Sequence, residues 1–450
     1  MILSEARATL TLALPIVGTQ LAQIAVHTTD VVMLAHISDH ALGAGALAFS
    51  LFWFFWMFGM GLGIAVAALV AQAVGRNADD HASVREAVHD GLIVTGIGFL
   101  ASLAILVAAR PFMVWFRQPP ELIDDAALFL HLLMISYLPG VWFSVLRSFT
   151  AALSRPRPAL VLMVAGVLLN AAAVYGFAFA AKLGIAGAGI GSALANWLLF
   201  LAFAAYVARD ADFSRYRIWS SRWRSSWPRL REYLRIGGPI ALTLASEIGL
   251  FSLAVQLMGR LGADEVAAHQ IALQWATIAF MVPMGLSQAA TVRVGLAAGA
   301  RDHAGVIRAG WIAIGMAVCF GACSGSLFWI FAPQLIGLFV PDAASPVFGL
   351  AVSYLLLAAL FQVVDGTQAV SNGVLRGLKD TAVPMVCAAI GYWACGLSAA
   401  IWFGFNSPLR GQGIWIGLVV GLAAAAVMLV WRFTWWTRRL RPITQREQTA

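Results

Sequence analysis

Asp30, Glu247 and Asp365 each stand inside a long apolar run, where a carboxylate has little to solvate it. Holding such a group at the centre of a membrane helix costs roughly 2.5–3.5 kcal/mol on insertion scales, so each needs a partner or a purpose. Helical rise brings two of them level. The run carrying Glu247 starts near 236 and climbs, which puts Glu247 about 16 Å above the inner edge at 1.5 Å per residue. The run carrying Asp365 descends and ends near 378, leaving Asp365 about 20 Å above the same edge. Two carboxylates sharing a low-dielectric pocket cannot both hold a charge cheaply. Such a pair can take up and release a proton, or offer hard oxygen ligands to Na⁺. The other reading is a pair satisfied by its neighbours Ser246, Thr367 and Gln368. Asp30 lies apart in the first half, where Asn170 and Asn196 could lend it oxygens. It is either a second ion site or a polar packing node.

The elements that must position these groups are membrane helices. Hydrophobic residues make up 61% of the chain and charged residues 11%, against roughly 45–50% and about 25% in soluble domains. Soluble classes are thereby excluded. Apolar runs of 20 or more residues, each able to cross a hydrocarbon core of about 30 Å, recur along all 450 residues. Twelve can be drawn, from 10–36 to 411–436. The first continues too far for a cleavable leader and is read as a retained span. With both termini cytoplasmic, basic residues favour the inner side by about five to one, a positive-inside pattern. The outer set is only Arg110, Arg117, Lys182, Arg260 and Arg410. The net charge of +8 therefore points to anionic headgroups, not to nucleic acid.

The chain also repeats itself. A shift of 224 residues lays Pro15-Ile16 on Pro239-Ile240, Met60-Gly61-Leu62 on Met284-Gly285-Leu286, and Gly187-x-Gly189-Ile190 on Gly411-x-Gly413-Ile414. This predicts two matched six-helix lobes, 1–208 and 236–436, with a cavity between them and alternating access. A basic, Trp-rich cytoplasmic linker at 209–235 and a tail at 437–450 complete the division. The charges are not duplicated: Asp30 falls on Ala254, and Glu247 falls back on Gln23. In the linker, Trp219, Trp223 and Trp227 recur every four residues among Arg222, Arg224, Arg229 and Arg231, as in a helix or turn lying in the interface. Trp435 to Arg439 reads as a second interfacial anchor.

Gly-rich stretches such as 184–191 serve close helix approach, and Pro139 and Pro283 inside spans permit bending. Cys319, Cys323, Cys387 and Cys395 read as buried small apolar residues, not as a metal set. The aromatic run 52–58 encircles its helix, so two or three of its rings at most can face a cavity and stack on flat compounds. Trp53 and Trp56 are candidates there, with Trp275, Phe280 and Phe361 in the second lobe. His269 reads as a satisfied interhelical histidine.

Several of these segments resemble one family. Ser246-Glu247, Leu261 to Gln270 and Pro283-Met284-Gly285 are similar to the seventh and eighth spans of multidrug and toxic compound extrusion (MATE) transporters. Phe361 to Gln368, Gly373-Val374-Leu375-Arg376-Gly377 and Asp380-Thr381-x-x-Pro384-Met385 resemble that family's tenth span and the loop after it. Thr29-Asp30-Val31-Val32-Met33 and Leu169-Asn170 fit its first lobe, so the likeness covers essentially the whole chain, and the Glu-then-Asp pattern resembles the NorM-like branch. The resemblance implies an all-α, twelve-helix, V-shaped antiporter of the bacterial inner membrane. It would expel lipophilic, often cationic compounds in exchange for H⁺ or Na⁺, without a cofactor, resident metal or enzymatic step, and as a monomer. It implies coupling at Glu247 and Asp365, with Asp30 contributing and Gln23, Gln270 and the polar residues above in support. Family members often carry Tyr where this chain has Phe361, which weakens a Na⁺ site of that composition and favours protons.

Three rivals differ in specific features. A major facilitator would carry a Gly-x-x-x-Asp-Arg-type loop after its second span, where this chain reads Gly75-Arg76-Asn77-Ala78-Asp79-Asp80-His81. A lipid-linked sugar flippase of the same superfamily would carry extra spans and a strongly cationic cavity. A membrane-embedded transferase would need carboxylates, His or Ser clustered at a membrane edge beside a phosphate-binding basic set.

Overall fold

Long uninterrupted apolar segments satisfy their own backbone as helices, the only open structure that needs no water within a bilayer. The computed structural model describes residues 2–115, 118–219, 223 and 225–440. Arg117, Arg222, Arg224 and the tail from 441 onward lie outside the described residues. Twelve described helices are long and apolar enough to cross a membrane: α1 Ile2–Ile37, α2 Asp39–Arg76, α3 His81–Leu106, α4 Pro120–Ala152, α5 Arg157–Ala180, α6 Gly184–Arg209, α7 Trp227–Leu261, α8 Ala263–Gly299, α9 His303–Gly337, α10 Pro346–Gly377, α11 Ala382–Phe405 and α12 Arg410–Arg439. Most run several residues beyond the apolar stretches read from the sequence, and two of them start at a polar side-chain cap. Asp80 accepts a hydrogen bond from the Ser83 amide at the start of α3, and Asp302 accepts one from the Gly305 amide at the start of α9. Both α5 and α11 contain a π-helical stretch, Gly176–Ala180 and Ile390–Leu397.

By contact the chain divides into two compact units. One comprises Gly18–Val74 and Ala78–Leu244, the other Met1–Val17, Gly75–Asn77 and Ala245–Ala450. The divisions fall inside α1 and α7, not in the 209–235 linker. The packing partners explain this. Within the second unit Glu5 forms an ion pair with Arg293, and a Cβ on Gly285 would press on Val17. Within the first, Gly18 lies against Leu160, Gly61 against Ala241, and Tyr233 donates to the Leu62 carbonyl.

The linker is not a helix lying free. Among its described residues, Trp223 stacks on His89 at 4.9 Å, Trp219 meets Phe200 and Trp223, and the Ile218 carbonyl hydrogen-bonds His89 at 2.7 Å. Ser225 and Arg229 bind Asp90, which is buried in α3. Buried polar groups on α3 thus dock the linker onto the first unit. Trp227, which opens α7, is 72% exposed, more than Trp223 at 42%. Near the C-terminus, Trp436 donates to Asp380 at 2.8 Å beside Arg432. The cysteine reading also changes. All four are free, but Cys319 and Cys323 are exposed on the outer face of α9 and the other two are half-buried.

The second unit is built around α10. Pro283, Ser287 and Thr291 recur at helical spacing on α8 and face Gly366, Gly373 and Gly377 of α10. Ser287 donates to the Ala369 carbonyl at 2.6 Å and Thr291 to the Gly373 carbonyl at 2.8 Å. On its other side, a Cβ on Gly321 of α9 would come within 2.7 Å of Val363. Small residues therefore let three helix backbones meet closely, and Asp365 is held within that seam.

A polar cluster locks one end of this unit. Glu265, 4% exposed at the start of α8, accepts from Tyr354 of α10 and from Arg410 Nε at 3.0 Å, while Arg410 Nη2 donates to the Leu261 carbonyl that ends α7. Glu265→Ala should therefore lower the unfolding free energy by about 1–3 kcal/mol, since it leaves the buried Tyr354 hydroxyl without its acceptor. Glu265→Gln, which keeps the tyrosine bond, should cost less. Melting of the purified protein in detergent gives the comparison, and equal melting of all three forms would dismiss the cluster as a lock.

Candidate functional site

Asp365 sits in the middle of α10 at 3% exposure, and its Oδ1 has no hydrogen-bond partner. Glu247 of α7 is half-buried and stands close enough to Asp365 to interact with it electrostatically. The two acids are thus brought together within one unit. Among the described residues, none of the neighbours that could have satisfied them hydrogen-bonds either acid. Ser246 accepts from Trp393 Nε1 at 2.6 Å, Thr367 donates to the Val363 carbonyl at 2.7 Å, and Gln368 donates to the Tyr392 hydroxyl at 2.6 Å. Gln270 is exposed. A buried carboxylate oxygen with no donor is costly for an anion and well suited to a proton or a bound cation.

Two residues near the pair escape a reading by sequence. Tyr392 comes from the π-helical stretch of α11 and lies within electrostatic reach of both acids and of Arg376. π-Bulges often mark functional sites because they re-aim a side chain. Phe361, where the family often has Tyr, is core instead: 2% exposed and packed on Phe251 and Trp415. Tyr392 supplies a hydroxyl near the pair from another helix. Arg376, counted by sequence as an inner-side charge, stands within electrostatic reach of Glu247 without forming an ion pair among the described residues. Its place in the Val374-Leu375-Arg376 segment was visible, but its depth depends on how far α10 extends.

Asp30 lies in the other unit, 8% exposed on α1. Asn170 Nδ2 donates to its Oδ1 at 2.7 Å and Ser192 Oγ donates to the same oxygen at 3.0 Å. Asn170 therefore meets Asp30 as a donor of hydrogen bonds, not as a lender of oxygen. Asn196 turns away to the Ser192 carbonyl at 2.9 Å, and Ser192 takes the place expected for it. Asn196 lies one helical turn from Ser192 and its amide is spent on that serine's carbonyl, so the hydroxyl and not the amide reaches Asp30.

Around Asp30 a cavity opens within the first unit, lined by Gln23, Asn170, Asn196, Trp53, Trp56 and Arg147, among others. Phe52 joins Trp53 and Trp56 on its wall, while Phe54 of the same run points outward. Three of the run's rings face the cavity, as the helix circumference allows. The second-lobe aromatics do other work. Trp275 donates to the Leu335 carbonyl and meets Phe339, and Phe280 is half-buried. His269 is fully buried against Trp415, yet neither ring nitrogen has a partner, so it is not the satisfied histidine expected. Alanines and a tryptophan surround it where hydrogen-bonding groups would be needed. No cluster of three or more His, Cys, Asp or Glu suited to a metal occurs among the described residues.

The family model described as MatE matches this chain over residues 15–175 and 239–402, two segments that follow the internal repeat. A protein of Mesorhizobium japonicum, named probable multidrug resistance protein NorM, is 43% identical over 445 residues, covering 97% of this chain and 94% of that protein. Its namesake from Rhizobium meliloti is 40% identical over 443 residues, covering 96% and 94%. Among solved structures, the eukaryotic MATE transporter AtDTX14 superposes with a TM-score of 0.89 over 99% of both chains at 21% identity. An outward-facing multidrug resistance MATE family transporter of the MOP superfamily gives 0.89 over 97% of both at 20%.

Proposed function

This chain belongs to the MatE family, and from that premise we propose that it is an antiporter that exports lipophilic, often cationic organic compounds against an inward flow of H⁺ or Na⁺. With twelve apolar helices it is a multi-pass membrane protein. We place it in the bacterial inner membrane as a monomer, with both termini cytoplasmic. The name carried by its relatives, multidrug resistance protein, supports the export of drugs.

One observation carries the ion coupling: the buried Asp365 oxygen without a donor, beside a second acid. A cation or proton arriving there neutralises charge that the surrounding apolar helices do not. That ligand must bind one helix arrangement better than the other, and cargo must favour the opposite one, because a ligand with equal affinity for both shifts nothing. Asp30, on a different lobe, is proposed as a second contributor. With phenylalanine at 361, protons are the favoured driving ion.

Inverted vesicles loaded with this chain decide the ion. An imposed proton gradient should drive uptake of ethidium, and a sodium gradient of equal size should drive much less. Uptake that follows sodium alone would reverse the assignment, and uptake indifferent to both would remove ion coupling altogether.

A further inference from the structure

A half-satisfied guanidinium is buried in the cavity around Asp30. Arg147 stands on α4 at 2% exposure and donates from Nη1 to Gln20 Oε1 at 2.5 Å, while its Nε and Nη2 have no partner. Asp30 lines the same cavity, yet no ion pair joins the two among the described residues. Arginine offers donors in a fixed planar fork and no acceptor, and burying such a charge without a counter-charge is costly. Something anionic fits there.

Two further groups on that wall are equally unmet. Ser144 Oγ lies one turn before Arg147 on the same face of α4, and Trp56 Nε1 comes from α2, with the indole ring lodged against Gly140 of α4. Arg147 and Trp56 can only donate, and Ser144 can donate as well. The unmet acceptor in the cavity, Asn170 Oδ1, belongs instead with Asp30. The cavity therefore has a donor pole and an acceptor pole. A plain cation is attracted by one and repelled by the other.

We propose that Arg147, Ser144 and Trp56 form a binding site for the carboxylate of amphoteric aromatic cargo, whose cationic end lies toward Asp30. A carboxylate matches the guanidinium fork in a charge-assisted, bidentate contact, and Phe52 and Trp53 supply aromatic faces for the ring that bears it. The inference rests on the exporter reading only in treating the ligand as cargo.

Rhodamine 110 carries a free benzoate and rhodamine 123 is its methyl ester, so the two dyes differ only in the anion. Fluorescence polarisation with the purified full chain in detergent gives both affinities with no ion gradient present, so a failure of ion coupling leaves this readout untouched. Arg147→Gln should lower the ratio of rhodamine 110 to rhodamine 123 affinity by about tenfold or more. Ser144→Ala should lower it by about threefold, and Arg147→Lys, which keeps the charge but not the fork, by an intermediate amount. An unchanged ratio in folded Arg147→Gln overturns the site, including the case where both dyes weaken together. So does failure of the unmodified chain to bind rhodamine 110. Should Arg147→Gln not fold, an unchanged ratio in both Arg147→Lys and Ser144→Ala overturns it on the same terms.

Discussion

Asp365→Asn should abolish concentrative dye export while the protein remains folded in the membrane. Asparagine has nearly the shape of aspartate, so the α8–α10 seam that holds position 365 stays intact. What it lacks is the ability to ionise, and with it any cation preference for one helix arrangement. Coupling energies between two sites run about 1–3 kcal/mol, or roughly 5–150-fold in affinity. Losing that difference should drop steady-state ethidium accumulation in inverted vesicles at least about tenfold. Exchange of dye down its own gradient should survive, because cargo contacts are untouched. Asp365→Glu should retain part of the coupled activity, and Glu247→Gln should lie between the extremes, since Glu247 is only half-buried. Concentrative export by Asp365→Asn at the level of the unmodified chain would end the coupling role of the pair.

The second large effect is structural. A valine at Gly373 cannot fit where α8 and α10 now meet. Its Cβ would lie 2.8 Å from the Ser287 carbonyl carbon, nearer still to that carbonyl's oxygen, and 2.5 Å from Ser287 Oγ. Backbone cannot yield as a side chain does, so the helices must part. Overpacking commonly costs about 1–3 kcal/mol, and parting the helices also breaks the Ser287 and Thr291 bonds to the α10 carbonyls, each worth about 0.6 kcal/mol in a bilayer. The expected sum, about 2–4 kcal/mol, is a large share of the roughly 5–15 kcal/mol by which folded proteins are stable. Gly315→Val is the control, because a Cβ there meets nothing within 4 Å. Size-exclusion profiles and melting in detergent should show Gly373→Val aggregated or strongly destabilised and Gly315→Val close to the unmodified chain. Similar behaviour of both would mean that the seam tolerates separation.

Much of the architecture is legible because membrane helices announce themselves one at a time. Each apolar run meets its hydrogen-bonding needs locally, so twelve runs predict twelve helices without knowledge of their neighbours. The 224-residue shift likewise exposes two related halves directly from Pro15/Pro239 and Met60/Met284. The acids are visible for a related reason. In a chain with 11% charged residues, an acid deep in an apolar run is conspicuous, and helical rise places Glu247 and Asp365 at one height.

What escaped depends on facing directions. Ser192 is as ordinary in sequence as any other serine, yet it reaches Asp30 while Asn196, one turn on, does not. Tyr392 reaches the acid pair from a π-helical stretch, and a π-turn shifts every later side chain around the axis. Trp219 and Trp223 have helical spacing but lie outside any helix: Trp223 stacks on His89 of α3, and Trp219 meets Phe200 of α6 edge-on. Cys319 and Cys323 face outward, although the same run buries Ala313 and Ala317.

By itself the order of residues determined the solvent class, the number of spans, the duplication and the few charges placed where charge is expensive. These are properties of single helices, set by composition, length and hydrogen-bond closure. Only the tertiary structure decided which of the polar groups go unanswered. Arg147, Asp365 and Asn170 each keep an unpartnered atom, although polar side chains of other helices lie near them. Pairing is a matter of rotation about a helix axis to within a fraction of a turn, and no linear pattern carries that angle.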